Sequence, residues 1–254
     1  MTPLMCLPGG PGFSANALTP ATALISNVPN TIRVDLPAAA TDLDACIDHL
    51  EVQRITAGAE RIHLFGHSFG AMWAAAYAAK HPDRVASLVS VGAPGLTMEV
   101  FGYLVDNVLS RLSGQTWADA AAALGALPNS THPLEDFVAA FAQVQEAYVF
   151  AKPHAAALAE LVRTDFRADA YFSITGAMAQ TGFDLTGAFS GAAYPTLHIR
   201  GRQDIIPAHL VAQYAGAFPT SQTVTLEQCG HYPWLDQPEG FAKAVEGFYV
   251  GVLK

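Results

Sequence analysis

The chain has 254 residues, of which 51% are hydrophobic and only 14% charged, with a formal net charge of -9 at neutral pH. That length is enough for a large single-domain α/β core, and the composition excludes an intrinsically disordered chain. The negative balance argues against nucleic acid or an anionic membrane as a partner held by the general field, and no apolar run has the length of a membrane span.

Residues 4–7 are a short apolar run ending in Pro8-Gly9-Gly10-Pro11-Gly12, the pattern of a buried strand feeding a tight loop. Residues 31–36 read as a second strand. Leu43, Ile47, Leu50 and Ile55 give residues 43–57 a helical spacing. A third strand is predicted at 61–65, followed by a small-residue helix at 69–80 that His81-Pro82 stops. Further strands are expected at 85–91, 196–200 and 223–226, and helices at 208–217 and 238–250. Strands alternating with helices predict an α/β fold with a mostly parallel sheet covered on both faces.

Residues 97–190 break this rhythm. They are Ala-rich and helix-like, without a convincing strand, and predict a helical cap inserted into a core made of residues 1–96 and 191–254. The N-terminus has no charged stretch leading a long apolar one, so no secretory signal is expected. Cys6, Cys46 and Cys229 are too few for a disulfide framework and lack metal-ligand spacing. Both features predict a cytoplasmic protein.

The strongest chemical signal is Gly66-His67-Ser68-Phe69-Gly70, a G-x-S-x-G sequence between a predicted strand and a predicted helix. In that setting Ser68 stands exposed on a sharp turn above a helix N-terminus, which favours developing negative charge. A serine hydroxyl needs a base, and the base needs an orienting acid, in the chain order Ser, acid, His. Asp204 follows the strand at 196–200, and His231 follows the strand at 223–226. Both therefore lie beyond strand carboxyl ends, where open α/β sheets place their sites. Asp236 is a rival acid that breaks the order, and Asp35 is a weaker one. Among the other histidines, His63 and His198 lie within strands and read as packing residues. His67 fills the variable position of the turn, and His49, His81, His132, His154 and His209 read as solvated.

Acyl transfer also needs backbone N–H groups aimed at the oxyanion. Phe69, next after Ser68, is one candidate. Gly10 is the other, because Pro8 and Pro11 have no N–H. The same loop supports a rival reading, since residues 10–15 match G-x-G-x-x-A and Asp35 stands where a ribose-binding acid would. Pro11 removes a phosphate donor, and that reading leaves the ordered Ser68, Asp204 and His231 segments unexplained.

With these motifs in view, the chain resembles the α/β-hydrolase superfamily, and within it the proline iminopeptidase-like and esterase-like members. The resemblance rests on Leu7-Pro8-Gly9-Gly10-Pro11-Gly12, Gly66-His67-Ser68-Phe69-Gly70-Ala71, His81-Pro82-Asp83-Arg84-Val85, Gly201-Arg202-Gln203-Asp204 and Gly230-His231-Tyr232-Pro233-Trp234. It implies an ester or amide hydrolase with Ser68, His231 and Asp204 as its triad, and the same apparatus in related proteins also supports carbon–carbon bond hydrolysis, lyase chemistry or ligand sensing. Two departures stand out: Pro8 replaces the histidine that usually orders the oxyanion loop, and Leu36-Pro37-Ala38-Ala39-Ala40 replaces an Arg-Gly-rich loop. No metal and no organic cofactor are implied, and the expected partner is a small molecule. The aromatics of the predicted cap suggest an apolar substrate, although only a minority are expected to face the cleft. Its ten carboxylates against four Lys and Arg offer acids that could hold a substrate amine, as a peptidase would require.

Overall fold

Period-two alternation sorts the sheet residues onto two faces. In the computed structural model, which describes residues 2–26, 28 and 30–252, Leu4 and Cys6 of β1 (Leu4–Leu7) enter one apolar cluster while Met5 and Leu7 enter the other. Five more strands, β2 (Thr31–Arg33), β3 (Ile62–His67), β4 (Val85–Val91), β5 (Thr196–Gly201) and β6 (Ser221–Leu226), complete a sheet of order β2-β1-β3-β4-β5-β6. Every pairing is parallel. The inner strands β1 and β3 are wholly buried, whereas the Thr-, Gln- and Arg-bearing edges β2 and β6 are not, as a sheet covered on both faces requires.

Helices α1 (Thr19–Leu24), α2 (Leu43–Thr56) and α3 (Phe69–Lys80) belong to the first half of the fold. Residues 69–78 of α3 are buried all round, and their Ala and Gly content lets the helix lie close to the strands. Sequence periodicity misses α1, whose six residues are too few to establish a pattern. The second strand is shorter than expected. One further ladder bond runs from Val34 N to Cys6 O at 2.9 Å, after which Asp35 turns aside to accept the Ala15 N–H at 2.6 Å.

Between β4 and β5 stand α4 (Val100–Leu109), α5 (Gly114–Ala126), α6 (Pro133–Gln143), α7 (Ala155–Asp165) and α8 (Ala168–Thr181). The ends of this insertion meet in an antiparallel bridge between Thr97 and Asp184, and Leu185 N donates to Leu96 O at 2.9 Å. After β5 come α9 (Ala208–Gly216), the single turn α10 (Pro233–Asp236) and α11 (Pro238–Val252). All three cysteines are free and buried.

Two buried histidines brace the sheet. His63 Nδ1 lies 2.8 Å from Ser87 Oγ. His198 sits with Nδ1 2.8 Å from Ser90 Oγ and Nε2 2.9 Å from Thr196 Oγ1. Burial pushes the pKa of His198 down to about 4. An unfolded chain takes up this proton near the ordinary histidine value of about 6.5. The stability His198 supports as a neutral residue is therefore complete above that pH and declines as pH falls towards the folded value. Urea unfolding should accordingly lose about 1.4 kcal/mol per pH unit from this group between about pH 6 and pH 5. The slope should be shallower by about that amount in His198→Gln; an unchanged slope would place the acid sensitivity elsewhere.

Candidate active site

β3 ends at His67 and α3 begins at Phe69, so one residue must reverse the chain. Ser68 does so at φ 53°, ψ -123°, in the left-handed half of φ space that residues with a β-carbon avoid. Its N–H is anchored to Val91 O at 2.9 Å, and its hydroxyl makes no capping bond to α3. The flanking glycines are required by contact. A β-carbon on Gly66 would lie 2.3 Å from Gly70 O, and one on Gly70 would lie 2.1 Å from Leu7 O.

Asp204 leaves the turn after β5, and His231 leaves the turn after β6. The two meet with His231 Nδ1 2.8 Å from Asp204 Oδ1, their side chains 2% and 0% exposed. Burial raises the Asp204 pKa, but the attraction and hydrogen bond of His231 and the Ile206 N–H outweigh it, so the carboxyl lies below its usual value. The Ile206 N–H reaches the same oxygen at 2.9 Å. Gly92, at φ 58°, leaves room for the pair. A β-carbon there would lie 2.8 Å from His231 Cε1 and Nδ1 and 3.1 Å from Asp204 Oδ2.

The backbone of His231 is held at both ends. Its N–H donates to Tyr148 O at 2.7 Å, and its carbonyl accepts from His67 Nε2 at 2.9 Å. Sequence reasoning gave His67 no task. It is 3% exposed, and burial together with the charge of His231 pushes its pKa down to about 3. His67 therefore stays neutral, and its proton must sit on Nε2 to serve that carbonyl. Nothing in its sequence position beyond adjacency to Ser68 signals this.

Ser68, His231, Gly10 and Phe69 line one cavity. Phe69 is the first residue of α3, where backbone N–H groups have no intrahelical acceptor. Gly10 has φ 113°, and neighbouring Gly9 packs so closely that a β-carbon on it would be 3.1 Å from Ser68 Cβ. This loop is held from the α7–α8 junction. Asp165 accepts from Ser14 N at 2.9 Å and from Ser14 Oγ at 2.5 Å, and Arg167 N donates to Gly12 O at 2.9 Å.

The rival acids are engaged elsewhere. Asp35 holds the Ala15 N–H. Asp236 accepts from Phe150 N, Ala151 N and Gly230 N at 2.8, 3.1 and 2.9 Å and pairs with His154 Nδ1 at 2.9 Å. His154 is thus paired with a buried carboxylate rather than simply solvated.

The insertion supplies much of the cavity wall. Phe101, Phe137, Phe141, Tyr148 and Tyr171 line it, while Trp117 and Phe172 face solvent. No Asp, Glu, Lys or Arg is among the described lining residues. The same insertion grips the acid turn: Arg111 donates to the carbonyls of Gln203 and Asp204, and Asn107 Nδ2 to Ile205 O at 3.1 Å. Among the described residues, no cluster of three or more His, Cys, Asp or Glu has the arrangement to hold a metal ion, and no helix is long and apolar enough to cross a membrane.

Residues 2–238 match the family model described as alpha/beta hydrolase fold. A proline iminopeptidase from Heyndrickxia coagulans is 25% identical over 97% of this chain and 90% of its own length. A 2-hydroxymuconate semialdehyde hydrolase from Pseudomonas putida is 28% identical over 75% of this chain and 63% of its own. Among solved structures, VinJ superposes with a TM-score of 0.75 at 20% identity, covering 99% of this chain and 90% of that one. Proline iminopeptidase from Mycobacterium smegmatis gives 0.72 at 20% identity with the same coverage.

Proposed function

The chain belongs to the α/β-hydrolase fold family, and from that membership we propose that it is a serine hydrolase cleaving an ester of a small, largely apolar acyl group. The observation that carries the reading is Ser68, held at φ 53° on a cavity that His231, bonded to Asp204 behind it, also lines. Ser68 Oγ attacks the carbonyl as His231 Nε2 takes its proton, with Asp204 fixing the ring through Nδ1–H. The Gly10 and Phe69 N–H groups receive the oxyanion. His231 then protonates the leaving group, and water attacks the acyl-enzyme by the same route. No step calls for a metal or organic cofactor. Labelling with a fluorophosphonate, followed by a panel of p-nitrophenyl esters and aminoacyl anilides, tests this reading. No labelling at Ser68 and no ester turnover would reject it.

Aminopeptidase activity of the proline-iminopeptidase kind needs an acid for the substrate amine, and the described cavity wall carries no carboxylate. That favours esters over free-amine substrates. Free, buried cysteines fit a reducing, cytoplasmic setting.

Residues 97–190 act in this proposal as a cap that sets substrate choice. Enlarging or shrinking Phe101 or Phe137 should change relative kcat/KM among esters by about tenfold or more, a difference of the size one or two methylenes make in an apolar pocket. Reactivity toward a small fluorophosphonate should change far less. Equal effects on both reagents would remove the cap from specificity.

A further inference from the structure

An apolar cavity is informative where it is polar. Tyr148 and Tyr232 line this one while only 7% and 4% exposed, and Tyr171 lines it too. Buried tyrosine hydroxyls normally find a partner. Elsewhere in this chain Tyr77 donates to Glu51 at 2.7 Å and Tyr214 to Ala71 O at 2.8 Å, whereas the buried Tyr194 hydroxyl, away from the cavity, has no partner among the described residues. The hydroxyls of Tyr148, Tyr171 and Tyr232 make no hydrogen bond among the described residues. Two of them flank the base: the Tyr148 and Tyr232 rings lie 5.7 and 5.6 Å from that of His231 and 6.5 Å from each other.

We infer that Tyr148, Tyr232 and Tyr171 form a hydrogen-bonding subsite that reads a neutral oxygen, a carbonyl or hydroxyl carried on the otherwise apolar acyl group of the substrate. Burial pushes all three phenols up, so they stay protonated and able to donate. A carboxylate is the wrong occupant: no Lys or Arg is among the described lining residues to pair with it, and a buried unpaired charge is costly. A plain hydrocarbon chain is also disfavoured, because it would displace water from the hydroxyls and leave them unpaired. The subsite deepens the serine-hydrolase reading by naming the substrate class, but its binding can be measured without turnover.

The test is calorimetric titration of the Ser68→Ala protein with methyl heptanoate and with methyl heptanoates carrying a ketone at carbon four, five or six. At least one ketone should bind about tenfold more tightly than the parent, the gain of one good hydrogen bond. Tyr148→Phe, Tyr232→Phe or Tyr171→Phe, introduced into the same protein, should bring that ratio towards one. Equal affinity for all four esters overturns the subsite, as does a preference that survives every Tyr→Phe change. Fluorophosphonate labelling of the wild-type protein judges the hydrolase reading separately, so the two failures are distinguishable.

Discussion

Ser68→Ala protein should take up no fluorophosphonate and lose on the order of 10⁴- to 10⁶-fold in ester turnover. The loss is large because the proposed mechanism forms its covalent bond at this hydroxyl, and the described cavity wall offers no replacement thiol or ammonium group: all three cysteines lie buried outside the lining residues. Folding should survive. The Ser68 hydroxyl makes no capping bond, its N–H to Val91 O is untouched, and alanine bears the same β-carbon at φ 53°. The thermal midpoint should therefore stay within a few degrees of wild type. Full labelling of the alanine protein at another residue would remove Ser68 from the mechanism.

The parts of this apparatus differ in how well the sequence announces them. Ser68, Asp204 and His231 follow from strand ends and chain order, because a parallel sheet sends all its strand carboxyl ends to one edge. The glycines around Ser68 are equally legible, since close approach and positive φ leave little choice of residue. His67 is not legible, because its task depends on a carbonyl 164 residues away. The Asp165–Ser14 tie across 151 residues is hidden for the same reason. The insertion's helices are readable as helices from composition. Their inward faces are not, since Ala-rich segments such as residues 118–126 have no strong apolar stripe to mark the side that packs.

Asp204→Asn should lower turnover by about 10⁴-fold while keeping the fold, and this is the sharper test of the geometry. Aspartate at Oδ1 accepts from His231 Nδ1 across 2.8 Å, which fixes the ring proton on Nδ1 and, in the proposed mechanism, leaves Nε2 free to receive the serine proton. Asparagine has nearly the same shape, and its oxygen can still accept the Ile206 N–H. Because that N–H and His231 Nδ1 share the Oδ1 position, the oxygen that serves Ile206 also faces Nδ1 but brings no charge to stabilise the imidazolium, while a flipped amide would drive the ring proton onto Nε2 and leave the Ile206 N–H unpaired. Charge matters as well. Because the Asp204 pKa is depressed in the folded protein, its ionised form contributes stability above the unfolded value of about 3.9, and that contribution is lost as pH falls through the lower folded value. The asparagine protein lacks this acid-dependent component. Asp236→Asn is the matched comparison, since Asp236 is equally buried and also accepts from a histidine, but it serves His154 and three backbone N–H groups rather than the base. It should cost stability, with activity falling about tenfold or less through loosening of Gly230. Should the Asp204→Asn protein keep near wild-type turnover while the Asp236→Asn or Asp35→Asn protein is inactive, the orienting acid is not Asp204, and the hydrogen bond at 2.8 Å is structural.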